Sequence, residues 1–284
     1  MAAIVAGAML LGFIAVVASG LYLARPASRP IGPPPPDLLA ETVAIPSPSG
    51  STLGGWLVRG SAGQGAVLLL HGVRADRRMM IARLRFLSES GYTALAIDFQ
   101  AHGESSGRII TFGYREAMDA RAARSYLSAA APGERVGVIG VSLGGAAALL
   151  GPEPLPADAL ILESVYPDID AAIANRMVRR FGPAGYGLAR LYVRLMPLAL
   201  PMRAADLRPI DRIGAVRAPL LVMAGTADLH TTLAESEALF ERAPAPKLFW
   251  PVEGAGHVDL AAYRPEDYRR RVLDFLDAHL PRRP

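Results

Sequence analysis

The 284-residue chain has no cysteine, which excludes a disulfide framework, a thiolate metal site and a cysteine nucleophile together. Lys247 is its only lysine, so the basic charge is carried almost entirely by arginine, and no basic run is interleaved with aromatic residues. The net charge of +4 therefore describes an arginine-rich solvated surface and implies no nucleic-acid partner. There is no internal repeat. The glycine-containing stretches match neither a phosphate loop nor a dinucleotide fingerprint, and the acidic residues and histidines do not fall at metal-ligand spacing, so no cofactor and no metal is expected. What remains is 51% hydrophobic and 20% charged, with 28 Gly and 24 Pro, as in a globular chain rich in turns that carries an added apolar segment. The length suits one α/β domain plus a small accessory piece.

The apolar segment is at the start. Residues 2–24 contain no charge, and at about 1.5 Å per helical residue they can cross a hydrocarbon core of about 30 Å. A transmembrane anchor over 1–24 is expected rather than a cleaved signal, because no basic residue precedes the run. Arg25 and Arg29 follow it, which places the rest of a single-pass membrane protein on the cytoplasmic side. Residues 25–36, with four consecutive prolines at 33–36, are expected to be a stiff linker.

From Asp37 to the end, at residue 284, the pattern is that of a folded domain. Two strands, Glu41 to Ile45 and Thr52 to Arg59, flank a Pro/Ser/Gly turn and predict a hairpin. Strand and helix patterns then alternate: strands over 66–70, 93–97, 135–139 and 159–162, and helices over 77–89, 112–130 and 143–150. The alternation stops over Tyr166 to Val216, where helical patterns are interrupted by Gly182-Pro183, Pro197, Pro201 and Pro209, predicting an inserted helical cap. It resumes with a strand over 219–224, a helix over 232–242, a strand over 247–252 and a helix over 265–279. The expected architecture is α/β, a mostly parallel twisted sheet with helices on both faces.

Gly140-Val141-Ser142-Leu143-Gly144 sits between a buried-strand pattern and a run of small helical residues. A serine at such a strand-to-helix turn is held in a strained backbone conformation with its hydroxyl lifted clear, the arrangement of a nucleophile elbow. The amide of Leu143, next in the chain, points at the same place and can donate to an oxyanion. A serine hydroxyl needs a base. Among His71, His102, His230, His257 and His279, the choice is His257, in a glycine-rich loop after the last strand, where a loop reaches over the carboxyl ends of the sheet. His71 and His102 are expected to brace their own loops, and His230 and His279 to lie at the surface. The imidazole needs a carboxylate to orient it. Asp228, in the turn Gly225-Thr226-Ala227-Asp228, is preferred over Glu163, which ends the preceding strand, while Asp98 is expected to cap its own turn.

The domain over 37–284 resembles an α/β-hydrolase. The resemblance rests on four motifs that accompany the serine turn, namely His71-Gly72-Val73, Asp98 to Ser105, Asp228 and Gly256-His257, in the chain order serine, acid, histidine, and its branch on Gly140 to Gly145 and Gly225 to Asp228. It is similar to membrane-anchored bacterial members of the serine-aminopeptidase and monoglyceride-lipase-like branch. The resemblance implies that Val73 supplies the second oxyanion amide beside Leu143. It also implies ester hydrolysis through an acyl-enzyme, on a small-molecule or lipid ester. Peptidase, thioesterase or acyltransferase chemistry would use the same three residues, and a non-catalytic membrane-tethered binding module is the alternative of another class. The apolar residues of the cap are expected to wall an acyl pocket, with Met177 and Leu195 among them, and its arginines Arg176, Arg179, Arg180, Arg190 and Arg194 to form an outer basic face.

Overall fold

A continuous apolar run such as Ala66–Leu70 or Val136–Val141 is satisfied only where both faces of a strand are covered, and in the computed structural model, which describes residues 18 and 20–280, these two runs are neighbours in the middle of a sheet. Its strands are β2 (Ala40–Pro46), β3 (Thr52–Val58), β4 (Ala66–Leu70), β5 (Thr93–Ile97), β7 (Val136–Val141), β8 (Ala159–Glu163), β9 (Leu220–Gly225) and β10 (Lys247–Val252). They lie in the order β10-β9-β8-β7-β4-β5-β3-β2. Only β3 runs against its neighbours, pairing antiparallel with β2 and with β5; every other pair is parallel. The strand order reverses at β4, where the loops after β4 and β7 open a crevice at the carboxyl edge.

Successive side chains point to opposite faces, so the same strands supply two cores. Leu68, Leu70, Val138, Leu160 and Val222 pack with helices α2 (Glu116–Ala130) and α3 (Leu143–Leu149). Val67, Leu69, Ile139, Ile161 and Met223 pack with α1 (Ile81–Glu89) and α8 (Pro265–His279). The cap lies between β8 and β9. It consists of α4 (Ile169–Phe181) and α5 (Gly185–Ala199), which pack on each other, followed by short 3-10 turns at 204–206, 209–211 and 213–215. Helix α6 (Leu233–Arg242) starts at Thr232 with a reciprocal cap to Glu235, and the short α7 (Leu260–Tyr263) has no counterpart in the sequence expectations.

Several boundaries differ from those expected. The helix expected over 112–130 begins at Glu116, because Phe112 and Gly113 have φ of +52° and +114° and the Glu116 carboxylate accepts from the amides of Thr111 and Gly113. Residues 77–80 form a 3-10 turn before α1. Pro197 lies in the last turn of α5; it removes the N–H that would bond the Val193 carbonyl, and the helix ends two residues later.

The expected linker is a correction of larger consequence. Residues 25–36 lie on the domain: β1 (Ala27–Ser28) pairs in parallel with β6 (His102–Gly103), and the amides of Ile31 and Gly32 donate to Glu104 Oε1 at 2.9 and 3.1 Å. The four prolines follow these contacts, with a bend at residue 33 and a turn at 36–37 that the Leu38 amide closes on the Pro35 carbonyl at 2.9 Å. The expected membrane span falls mostly outside the described residues. Among the described residues no helix is long and apolar enough to cross a membrane.

Candidate active site

Strand β7 ends at Val141 and α3 begins at Leu143, leaving Ser142 alone to make the turn. It does so with φ +49° and ψ −106°, a conformation that costs a non-glycine residue of order 1–3 kcal/mol and persists only where the surroundings over-determine it. Two glycines are what make this possible. A Cβ on Gly140 would stand 2.6 Å from the amide nitrogen of Gly145, and one on Gly144 would stand 2.2 Å from the Leu70 carbonyl oxygen. The Ser142 amide is fixed by the Glu163 carbonyl at 2.7 Å.

Asp228 and His257, sequence choices from two separate loops, converge on Ser142. His257 Nε2 lies 3.3 Å from Ser142 Oγ, and His257 Nδ1 lies 2.7 Å from Asp228 Oδ2. The other carboxylate oxygen of Asp228 accepts from the amides of His230 and Thr231 at 2.7 and 3.0 Å. Burial alone would raise its pKa, but the hydrogen bonds from His257 and these two amides hold it below the ordinary aspartate value. The group is therefore a carboxylate aimed at Nδ1, which sets the tautomer that leaves Nε2 free to accept from a hydroxyl.

The loop after β4 runs beside the elbow: a Cβ on Gly72 would lie 3.8 Å from Ser142 Cβ. Two buried histidines hold it. His71 accepts the Phe99 amide on Nε2 at 3.0 Å and, through Nδ1–H, donates to the Gly72 carbonyl at 2.7 Å. Burial pushes its pKa down to about 3, so it is a neutral strut. His102 accepts the Arg74 amide at 3.0 Å, bracing this loop as well as its own. Between these fixed points, the Val73 amide, like that of Leu143 in the first turn of α3, has no acceptor among the described residues.

The other candidates sort out by their partners. Glu163 is no rival to Asp228: it is fully buried and engaged with Arg83 at 2.7 Å and with the Tyr268 hydroxyl. Asp98 takes the Arg77 amide and guanidinium at 2.7 and 2.6 Å and the Glu104 amide at 2.9 Å, capping its turn as expected. His230 was misplaced by sequence reasoning. Its ring centroid is 5.3 Å from that of His257, and its Nε2 accepts from Arg179 Nη1 at 2.9 Å. The available signal was its position two residues after Asp228.

Two hollows meet at Ser142. The first, about 240 Å³, is bounded by Val73, Leu143, Phe112 and Leu23 together with Ile173, Met177, Tyr192 and Met196 from the cap. The second, about 330 Å³, is bounded by Gly72, Met79, His230, His257 and Val258. Arg176 lines both.

A model of the alpha/beta hydrolase family matches residues 67–271. The chain belongs to that family. This alpha/beta hydrolase is 32% identical over 243 residues to an uncharacterized protein of Mycobacterium tuberculosis, covering 83% of this chain and 76% of the other. Over 73 residues, 25% of this chain and 22% of the other, it is 40% identical to alpha/beta hydrolase domain-containing protein 17C of Mus musculus. Among solved structures it is similar to the esterase Pf2001 of Pyrococcus furiosus, with TM-score 0.73 and 24% identity over 90% of this chain and 99% of that one. It is also similar to an esterase of Exiguobacterium antarcticum, with TM-score 0.62, 17% identity and coverage of 84% and 100%. At these identities the structural likeness speaks for the fold.

Two expectations about the cap are corrected. Leu195 is absent from the lining of the first hollow, because the inward stripe of α5 runs through Ala189, Tyr192 and Met196. All five arginines are exposed, but two of them reach the cleft: Arg176 lines both hollows and Arg179 bonds His230.

Proposed function

We propose that this alpha/beta hydrolase cleaves carboxylic esters with apolar acyl groups through an acyl-enzyme on Ser142. The observation that carries the reading is the continuous Ser142–His257–Asp228 relay, with contacts of 3.3 and 2.7 Å, beside two amides that lack acceptors among the described residues. Ser142 Oγ attacks the ester carbonyl carbon while its proton passes to His257 Nε2, and the carbonyl oxygen becomes an anion facing the Val73 and Leu143 amides. Collapse breaks the bond to the leaving oxygen, which takes the proton back from His257. Water then repeats the sequence on the acyl-enzyme and releases the acid and free Ser142. Donors pre-aimed at the oxyanion are each worth on the order of 10²–10³ in kcat.

The first hollow suits the acyl chain, since its walls are mainly apolar and Leu143 and Val73 join it to the oxyanion site. The second suits the leaving alcohol, because it is the one bordered by His257, which must return a proton to that oxygen. Labelling of Ser142 by a fluorophosphonate, followed by a series of aryl esters of increasing acyl length, tests the reading. kcat/KM is expected to rise over several carbons by at most about 0.8 kcal/mol per methylene. Met177→Asp is expected to flatten that rise. A profile that peaks at acetate and ignores the substitution would remove the acyl role of this hollow.

We infer further that residues 2–24 stay on the mature protein as a membrane anchor, with the domain on the cytoplasmic side. Two features support this beside the uncharged run. Residues 20–24 are helical and abut the cap, where a Cβ on Gly20 would stand 2.9 Å from the Tyr192 hydroxyl, and Leu23 walls the first hollow. Apolar substrates would thus reach the acyl site beside the segment that leads to the bilayer. Mass spectrometry of the protein from its membrane fraction is expected to find the apolar segment intact; a mature N-terminus near Arg25 would show cleavage instead.

A further inference from the structure

Among the described residues the buried arginines, Arg77 and Arg83, are both matched to carboxylates. Arg77 meets Asp98 at 2.6 Å and also Glu104, and Arg83 meets Glu163 at 2.7 Å and Asp259 at 2.8 Å. Arg176 is exposed to solvent in the cleft, where it lines both hollows. Its one protein hydrogen bond among the described residues runs from Nη1 to the Ala172 carbonyl, one turn earlier on the same helix, at 2.7 Å. No carboxylate lies within ion-pair distance of it among the described residues. Solvent reaches it through the cleft, yet the enclosing protein lowers its pKa from the ordinary arginine value against the pull of Asp228, Tyr166 and Glu235.

The acidic groups nearby are engaged elsewhere. Asp228 serves His257 and two amides, Glu235 serves Asn175 and the Thr232 amide, and Asp259 serves Arg83. Arg179, one turn on from Arg176, reaches the same side of the cleft through its contact with His230. A cation held without its counter-ion at the wall of a cleft attracts an anion there, and the arginine fork matches the planar oxygens of a carboxylate or the face of a phosphate.

We infer that the ester substrate carries an oxyanion, carboxylate or phosphate, on its alcohol portion, and that Arg176 binds it in the hollow bordered by His230 and His257. The inference rests on the serine-hydrolase reading for the placement of the alcohol but not for the binding of the anion. Arg176 acts here as a specificity residue; the reacting atoms belong to Ser142 and His257. Arg179, bonded to His230 at the border of this hollow, adds positive charge on the same side and so further favours anionic over neutral alcohols.

The test compares 4-acetoxybenzoate, 4-acetoxyphenyl phosphate and the neutral 4-acetoxybenzamide on wild type, Arg176→Gln and Arg176→Lys. The anionic-to-neutral ratio of kcat/KM is expected to fall tenfold or more in Arg176→Gln, mainly through KM, and to recover in part in Arg176→Lys. Whichever anion loses more identifies the headgroup class. A ratio that stays within twofold in Arg176→Gln for both anions overturns the inference while leaving ester hydrolysis standing. Binding is read separately by calorimetry with 4-hydroxybenzoate and 4-hydroxyphenyl phosphate, which needs no turnover. If wild type hydrolyses none of the esters, the hydrolase reading fails; weakening of anion binding by Arg176→Gln would still support the anion site, and absence of binding to wild type would sink it.

Discussion

Ser142→Ala is expected to lower aryl-ester turnover by a thousandfold or more and to abolish fluorophosphonate labelling. The change deletes one oxygen, and it does so where no part of the fold depends on that oxygen. Among the described residues the only side-chain bond of Ser142 is the 3.3 Å contact with His257 Nε2, while the turn itself is held by its amide on the Glu163 carbonyl and by the close approach of Gly140 and Gly144 to neighbouring backbone. Alanine also keeps the unusual φ of +49° no less accessible than serine does. The thermal midpoint is therefore expected to stay near that of wild type. Purified Ser142→Ala protein that hydrolyses aryl esters at the wild-type rate would rule out an acyl-enzyme on this residue.

Asp228→Asn is expected to cost on the order of 10⁴ in kcat, with little change in stability. The amide can keep the contact to Nδ1, but its NH₂ group favours an imidazole protonated on Nε2, and that tautomer cannot accept the serine proton. Glu163→Gln supplies the opposite pattern. Glu163 is enclosed with Arg83, Tyr268 and, through Arg83, Asp259, so removing its charge leaves a buried guanidinium short of a partner. Breaking such a pair costs about 3–5 kcal/mol. The expected result is a lowered unfolding midpoint with ester turnover per folded molecule kept within a few fold. If Glu163→Gln were the kinetically damaging change and Asp228→Asn the mild one, the acid would have been assigned to the wrong strand end.

The two acids illustrate what a sequence can and cannot separate. Glu163 ends β8 and Asp228 stands in the turn after β9, so both are delivered to the carboxyl edge of the sheet. Nothing local distinguishes them except the turn around Asp228, whose oxygens collect the amides of His230 and Thr231. What disqualifies Glu163 is Arg83, eighty positions away, an ion pair that no periodicity or motif announces. His230 failed for a related reason: a histidine at a helix entrance is ordinarily solvated, and only the return of the 257 loop beside it makes it a wall of the cleft.

The alternation of strands and helices and the strand-to-helix turn at Ser142 were legible in the sequence, which also put forward Asp228 and His257, the residues that the fold brings to 2.7 Å from each other and, for His257, to 3.3 Å from Ser142. Each of these follows from local rules. Strands covered on both faces must be continuously apolar, a serine turn between strand and helix needs glycine where backbones meet, and an acid and a base must stand on loops at the carboxyl edge. The tertiary structure decided what depends on distant segments meeting. It laid residues 25–36 along β6 in place of a free spacer, turned α5 so that Tyr192 and Met196 face the cleft in place of Leu195, and turned Arg176 from the cap's outer face into both hollows. Side-chain direction on an inserted cap is set by how its helices rotate against the domain beneath, a quantity encoded in the packing of two surfaces and in neither one alone.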